Sequence, residues 1–416
     1  MKRSVVLAFG AAAIARGVVG CAAGEEMPPL SAPAPDVTEA GTPTPNDADT
    51  PVDDAPTAIP DCSPDDWCYT RLPLAQSFDA GGVVPNPDRA VFALTSIWVA
   101  PDRQAWAVSD AGHVLQWNGA AWRVAFVASA GLRSVWGSSA SDVWIAGKSG
   151  LLLHGTGTPG ALVFAPVSIG SMQTITRVWG TSATDVWLLA DRVYHLGGEP
   201  EKFEPVSIPT DYGDAAAAVQ TTAVWGSGSD TWFAGTETTH CAPPNCSNQT
   251  RVFATRRRVG TGDAVTWDTI PMAIKDATGV VGGTSTATGV QMLAIQTRLF
   301  DTAFAARVAD DPAKLDPKYG AVTVAGDYAW SFEVAEEYGQ PEGLWGREAN
   351  DVWLVGRFGV VRRFDGAAWQ VSRVARSTLS PLLNHLHAID AVTDANGERE
   401  MWIVGDDIAM HRTVKR

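Results

Sequence analysis

At 416 residues, with 45% hydrophobic side chains, the chain is long enough for one large or two ordinary domains and can fill a sizeable core. Its formal net charge of −15 argues against binding nucleic acid through phosphates, which needs a clustered basic surface. It also carries seventeen Trp, and where they fall decides the reading of the fold.

The amino terminus reads as an export signal. Lys2 and Arg3 precede an apolar run from Val5 to Ile14, which is too short to span a bilayer, and Val18-Val19-Gly20-Cys21 follows. That ending resembles the lipobox of bacterial lipoproteins, so residues 1–20 are expected to be a signal peptide and Cys21 the lipidated residue. Val18 in place of the commoner Leu, and Arg16 within the apolar region, depart from the pattern. An ordinary cleaved signal and an uncleaved anchor are the alternatives. Ala22 rather than Asp after the Cys resembles the pattern sent to the outer membrane, which implies an envelope location, periplasmic or surface-exposed.

From Ala22 to Asp66 there are eleven Asp or Glu and ten Pro but no Lys or Arg. Such a composition buries too little apolar surface to offset its ordering entropy, so residues 21–61 are expected to be a disordered tether, with the folded body over 62–416. Four further Cys form two close pairs, Cys62 with Cys68 and Cys241 with Cys246, for which local disulfides are the simple expectation in an exported protein. Zinc is the weaker alternative, since neither spacing is C-x-x-C and only His240 adds a nearby ligand.

The body repeats itself. Val135-Trp136-Gly137-Ser138-Ser139-Ala140-Ser141-Asp142-Val143-Trp144 returns as Val178-Trp179-Gly180 with Asp185-Val186-Trp187, as Val224-Trp225-Gly226 with Asp230-Thr231-Trp232, and as Leu344-Trp345-Gly346 with Asp351-Val352-Trp353. Each unit has three aromatic slots. Trp98, Trp136, Trp179, Trp225 and Trp345 fill the first, and Trp106, Trp144, Trp187, Trp232, Trp353 and Trp402 the second. Trp67, Trp122, Trp267, Trp330 and Trp369 fill the third, with Phe164 and Phe203 in two units, and Trp117 is left over. Four short β-rich segments repeated every 40 to 50 residues or so are the signature of an all-β propeller with four-stranded blades. The recurring Asp before the second Trp is expected to bond backbone amides of its turn, as Asx turns do.

Walking the third slot gives six complete units. The last, from Leu386 through Trp402 to His411, lacks a fourth strand, while Trp67-Cys68-Tyr69-Thr70 near the start reads as a lone one. The economical solution is a seven-bladed ring in which residues 66–76 complete the carboxy-terminal blade and hide its edge. The fifth unit, Thr278 to Val334, is degenerate, with Met292 to Phe300 running parallel to Trp402 to Met410.

With its W-G-S-S-x-x-D-V-W-x-x-G repeat, the stretch 94–416 resembles the propeller lipoproteins of Gram-negative soil bacteria. That resemblance implies the fold and export. More broadly the chain is similar to Asp-box and photosystem-assembly-type propellers, although the S-x-D-x-G-x-x-W order of an Asp box does not occur.

No nucleophile elbow, HExxH, P-loop or dinucleotide fingerprint is present, so no cofactor is expected. Gln116, His154, His195, Arg363 and His411 align in the third strands, but equivalent positions in neighbouring blades lie about 10 Å or more apart. A zinc–imidazole bond is about 2.0–2.1 Å, so this column reads as polar strand residues. His385 and His387 are the remaining metal candidates. Loops carry function in propellers. Long insertions at Pro209–Gln220, Thr236–Thr250 and Ser372–Leu383 share one face, and Phe304–Gly320 and Val392–Arg399 lie on the other. The rim candidates on the first face are Asp211, Tyr212, Asp214, His240, Asn245 and His385. The expectation is a monomeric, non-catalytic binding or scaffold module for a protein or glycan ligand. The rival is a propeller enzyme, a lyase or glycosidase, with its site at the channel mouth.

Overall fold

The computed structural model describes residues 61–415 apart from short internal stretches, the longest being 86–91, 211–215, 240–248, 286–290, 298–302, 316–322 and 376–380. Seven antiparallel sheets form seven blades. Blade 1 is Leu94–Val99, Ala105–Ser109, His113–Trp117 and Trp122–Val127. Blades 2 and 3 begin with the inner strands Leu132–Ser139 and Arg177–Ser182, and blades 4, 5 and 6 with Ala216–Ser227, Ala277–Ser285 and Pro341–Glu348. Blade 7 is Leu386–Thr393, Arg399–Gly405 and Ile408–Val414, and its fourth strand is Cys68–Tyr69 from the other end of the chain. Each inner strand contacts those of the two neighbouring blades, and blade 7 contacts blade 1, so the ring is closed.

The repeat motif follows from how blades stack. In five blades the first and second Trp are direct cross-strand partners, as in Trp136 opposite Trp144 and Trp179 opposite Trp187. The glycine after the first Trp leaves room for the preceding blade's indole. A Cβ on Gly137 would stand 2.6 Å from Trp98, and one on Gly180 would stand 2.7 Å from Trp136 and 2.4 Å from the Asp185 carbonyl. Gly137→Ala, where the neighbouring indole is the nearest obstacle, therefore overpacks a joint between two blades, at a cost of about 1–3 kcal/mol in denaturant unfolding. A cost below about 0.5 kcal/mol would remove this account of the Trp-Gly pair.

Two blades depart from the pattern. Blade 5 has Thr284 in the first slot, opposite Met292, and a fifth strand, Thr323–Ala325, lies outside its fourth. In blade 7 the slot holds Asp390, opposite Trp402. The glycine position of the next blade around the ring is then Val99, whose amide donates to Asp390 Oδ2 at 2.7 Å. At the seam where the ring closes, indole-on-glycine packing is thus replaced by a carboxyl on an amide.

The closing strand is shorter than the expected 66–76. Only Cys68 and Tyr69 pair with His411 and Met410, Thr70 extends the ladder through its amide to the Ala409 carbonyl at 3.0 Å, and Gln76–Asp79 turns into a separate hairpin with Gly82–Pro85. Leu72-Pro73 ends the ladder because proline lacks the amide that a paired strand would need. Trp67 anchors the strand, fully buried, with its indole N–H donating to Ser372 Oγ at 3.0 Å. The Cys62 and Cys68 sulfurs lie 2.02 Å apart, at bonding distance. Cys241 and Cys246 fall outside the described residues.

Three segments expected as insertions are partly strand. Ala216–Gln220 and Thr236–Thr239 pair with each other, making blade 4 taller on that face than its neighbours. Threonines suit this partly buried ladder, and Thr238 and Thr250 bond across the second and third strands at 2.8 Å. On the opposite face Phe304–Ala309 belongs to the third strand of blade 5.

Candidate functional site

The seven inner strands enclose a central channel with a cavity of about 370 Å³. Two successive rings of residues line it. The first-slot ring is Trp98, Trp136, Trp179, Trp225, Thr284, Trp345 and Asp390, five indoles with one hydroxyl and one carboxyl. Two residues earlier on each strand stands a second ring, Ser96, Ser134, Arg177, Ala223, Gly282, Gly343 and Ala388. Six of its members are small, and the seventh is an arginine.

The small members leave the channel open, and two of the serines also join blades. Ser96 Oγ accepts the Val135 amide at 3.2 Å, and Ser134 Oγ accepts the Val178 amide at 3.0 Å. Arg177 reaches beyond blade 4, where Ala223 offers no obstruction, and its Nη2 donates to the Val281 carbonyl of blade 5 at 3.1 Å. Burial pushes its pKa below the usual guanidinium range. Among the described residues no carboxylate forms an ion pair with it. On the far side of the ring, burial raises the Asp390 carboxyl to about 7, against the opposing pull of the Val99 and Ala391 amides.

His387 also borders the channel. Its Nδ1 meets Glu342 and its Nε2 meets Asp406 at 2.9 Å, while Arg357 Nε holds the other Glu342 oxygen at 2.7 Å. The Glu342 bond, joined by Asp406, raises the His387 pKa. This network joins blades 6 and 7 and takes up both ring nitrogens in carboxylate bonds. Its neighbour His385, named from the sequence as a rim residue and metal candidate, packs edge-on against Phe358 at 4.9 Å, and the two imidazole centroids are 6.3 Å apart. Among the described residues no group of three or more His, Cys, Asp or Glu is arranged to hold a metal. The other rim candidates, Asp211, Tyr212, Asp214, His240 and Asn245, lie outside the described residues.

The recurring Asp does something other than the expected capping of turn amides. Asp142 Oδ1 bonds His154 Nε2 at 2.5 Å and Asp185 Oδ1 bonds His195 Nε2 at 2.8 Å, while Ser138 and Thr181 hydroxyls donate to the second carboxylate oxygens. Asp230 likewise pairs with Arg256, and Asp351 with Arg363 at 3.2 Å. Each base lies on the second-slot indole, His154 stacked on Trp144 at 3.8 Å and His195 on Trp187 at 3.9 Å. The Asp points to the same face of its strand as the Trp two residues on, so the third-strand base opposite that Trp lies within diagonal reach. In blades 2, 3, 4 and 6 the aligned third-strand residue is therefore a separate strut within its own blade.

Arg177, Asp390 and Phe358 were missed from the sequence. Aligning the inner strands would have exposed the first two, as the one arginine in a column of small residues and the one acid in a column of indoles. Phe358 sits at a turn tip with φ 56° and its side chain 60% exposed, where the equivalent blade-2 residue is Ser149 at φ 57°. A left-handed backbone ordinarily favours small polar residues.

No family model matches the chain, and no curated protein matches it. Among solved structures it is similar to one described as YCF48 bound to D1 peptide, with 12% identity, a TM-score of 0.52, and coverage of 84% of this chain and 97% of that one. It is also similar to YCF48 from Cyanidioschyzon merolae, with 13% identity, a TM-score of 0.50, and coverage of 83% and 98%. At these identities the likeness is one of fold.

Proposed function

We propose that the protein is a lipid-anchored, extracytoplasmic propeller that acts as a non-catalytic binding module, with the central channel and its mouth as the ligand seat. The observation that carries this reading is the channel itself, a cavity of about 370 Å³ lined by five tryptophans and bearing one guanidinium that no carboxylate among the described residues pairs with. Its lining is more polar than apolar, with the small and charged residues of one ring and the indole edges of the other exposed to the same space, an arrangement suited to a polar ligand with an apolar part. The similar fold described with a bound peptide is compatible with a peptide ligand. The lipobox-like ending at Cys21 and the close Cys62 and Cys68 sulfurs support an oxidising location reached by export. Glycoside hydrolysis uses a pair of carboxyls, and the described channel lining offers one, Asp390. An enzyme reading would need the second from elsewhere.

Two measurements test the proposal. Metabolic labelling with a fatty-acid analogue in a bacterial host should mark the full chain, and Cys21→Ser should abolish the label. Labelling that persists in the variant removes the anchor. The full chain should also retain specific partners from an envelope extract, in competition with soluble extract. Turnover of glycan substrates without stable retention would favour the enzyme reading.

A further inference from the structure

The inner-strand ring of Ser96, Ser134, Arg177, Ala223, Gly282, Gly343 and Ala388 is a sevenfold internal comparison. Every position has the same backbone setting, two residues before the first slot, and six blades place there a side chain no larger than Ser. Blade 3 alone places a long cation. Packing does not demand it, because the other six joints close without one. Nor is it an ion-pair strut of the kind that ties Asp230 to Arg256, since no described carboxylate pairs with it. Arg177 is partly buried, lines the channel and has no described carboxylate to balance it, so an anion that enters the channel finds an uncompensated counter-charge there.

The surroundings define that anion. One of the five guanidinium donors is spent on the Val281 carbonyl, leaving the rest of the planar fork for a carboxylate, which matches its geometry in two parallel bonds. The small residues around the ring leave space beside the fork, and the partly exposed indoles Trp136, Trp179 and Trp345 one step along the strands offer apolar contact. Asp390, set among those indoles, suits a hydrogen-bonding group at the ligand's other end.

We propose that the channel takes a carboxylate-bearing peptide end, with Arg177 gripping the carboxylate and the indole ring packing the residues behind it. This rests on the reading of the protein as a binding module and names the ligand class of that same site. Arg177 is its specificity-determining residue, and Ala223, Gly282 and Gly343 make room for the ligand.

The test uses the full chain, immobilised and equilibrated with matched pools of N-acetylated tripeptides, one ending in free carboxylates and the other in carboxamides, with retention read by mass spectrometry. The acid pool should be retained at least about tenfold over the amide pool. Arg177→Gln should erase that preference and Arg177→Lys should keep part of it, because lysine preserves the charge but not the fork. Thermal unfolding of Arg177→Gln should be unchanged or raised, whereas a merely structural arginine would lower it. Equal retention of the two pools, an undiminished preference in Arg177→Gln, or selection of a parallel pool of uronic acids over the tripeptide acids would each overturn the proposal. If the partners held from envelope extract stay equally bound to Arg177→Gln, the binding-module reading stands and this proposal falls.

Discussion

Trp67→Ala should cost about 3–5 kcal/mol of unfolding free energy, the range for emptying a buried aromatic site. Trp67 is fully buried, its ring meets Trp353 of blade 6 edge-on at 5.8 Å, and its N–H is bonded to Ser372. The effect extends beyond the cavity, because the strand that Trp67 anchors pairs through two residues and its other ties include Tyr69 Oη on the Val374 carbonyl at 2.8 Å, Thr70 Oγ1 on Ala409 at 2.8 Å and the exposed Asp65–Arg373 ion pair at 2.8 Å. With the indole gone the strand detaches, and Ile408–Val414 becomes an open edge that invites pairing with another chain. Deleting residues 62–76 should therefore destabilise at least as much and add concentration-dependent aggregation. Denaturant midpoints and light scattering read both effects. If either variant unfolds like the full chain, the amino-terminal strand does not close the ring.

Asp390→Asn should stabilise the protein, and more so as the pH rises. Burial disfavours the charged form and pushes the carboxyl up to about 7 in the folded state, from an ordinary aspartate value of 3.8. An acid whose folded pKa is raised is no burden below its unfolded pKa. As pH climbs from about 4 to 7 the unfolded chain gains by ionising while the folded one stays protonated, so stability falls across that window and levels off above it. The shift sets an upper limit of about 4 kcal/mol, and water in the channel brings the expected gain to about 2–3 kcal/mol. Asn keeps an acceptor for the Val99 amide, so the seam bond survives. His387, whose pKa is raised by its bond to Glu342, is common to both proteins, and the difference between them isolates Asp390. Unfolding measured at pH 4, 5.5 and 7.5 should show a widening gap, and a gap independent of pH would mean that Asp390 is not held protonated.

The seven blades, the shared last blade and the degenerate fifth were legible because the indoles recur at a fixed spacing and each needs a neighbouring sheet to cover it. Met292, aligned from the sequence with Trp402, stands in the second slot although it is not aromatic, and pairing sets Thr284 opposite it. The Trp-Gly pair was visible as a pattern but not as a mechanism. The atoms nearest to a side chain added at Gly137 belong to Trp98, in a different blade.

The channel was not legible for the same reason. Residues of one ring are separated by tens of positions in the chain and meet only when seven strands come round a common axis. Nothing next to Arg177 in sequence marks it as the one cation of its ring, and nothing beside Asp390 foretells a carboxyl held protonated near neutral pH. The recurring Asp was read as a turn cap because its amides are near in sequence, while its real partners, His154 and His195, are brought to it by strand pairing. Local spacing determined how many blades there are and how the ends of the chain join them. Only closure of the ring decided which charges lose their water and which side chains face the channel, because burial and Coulombic pairing depend on distance in space.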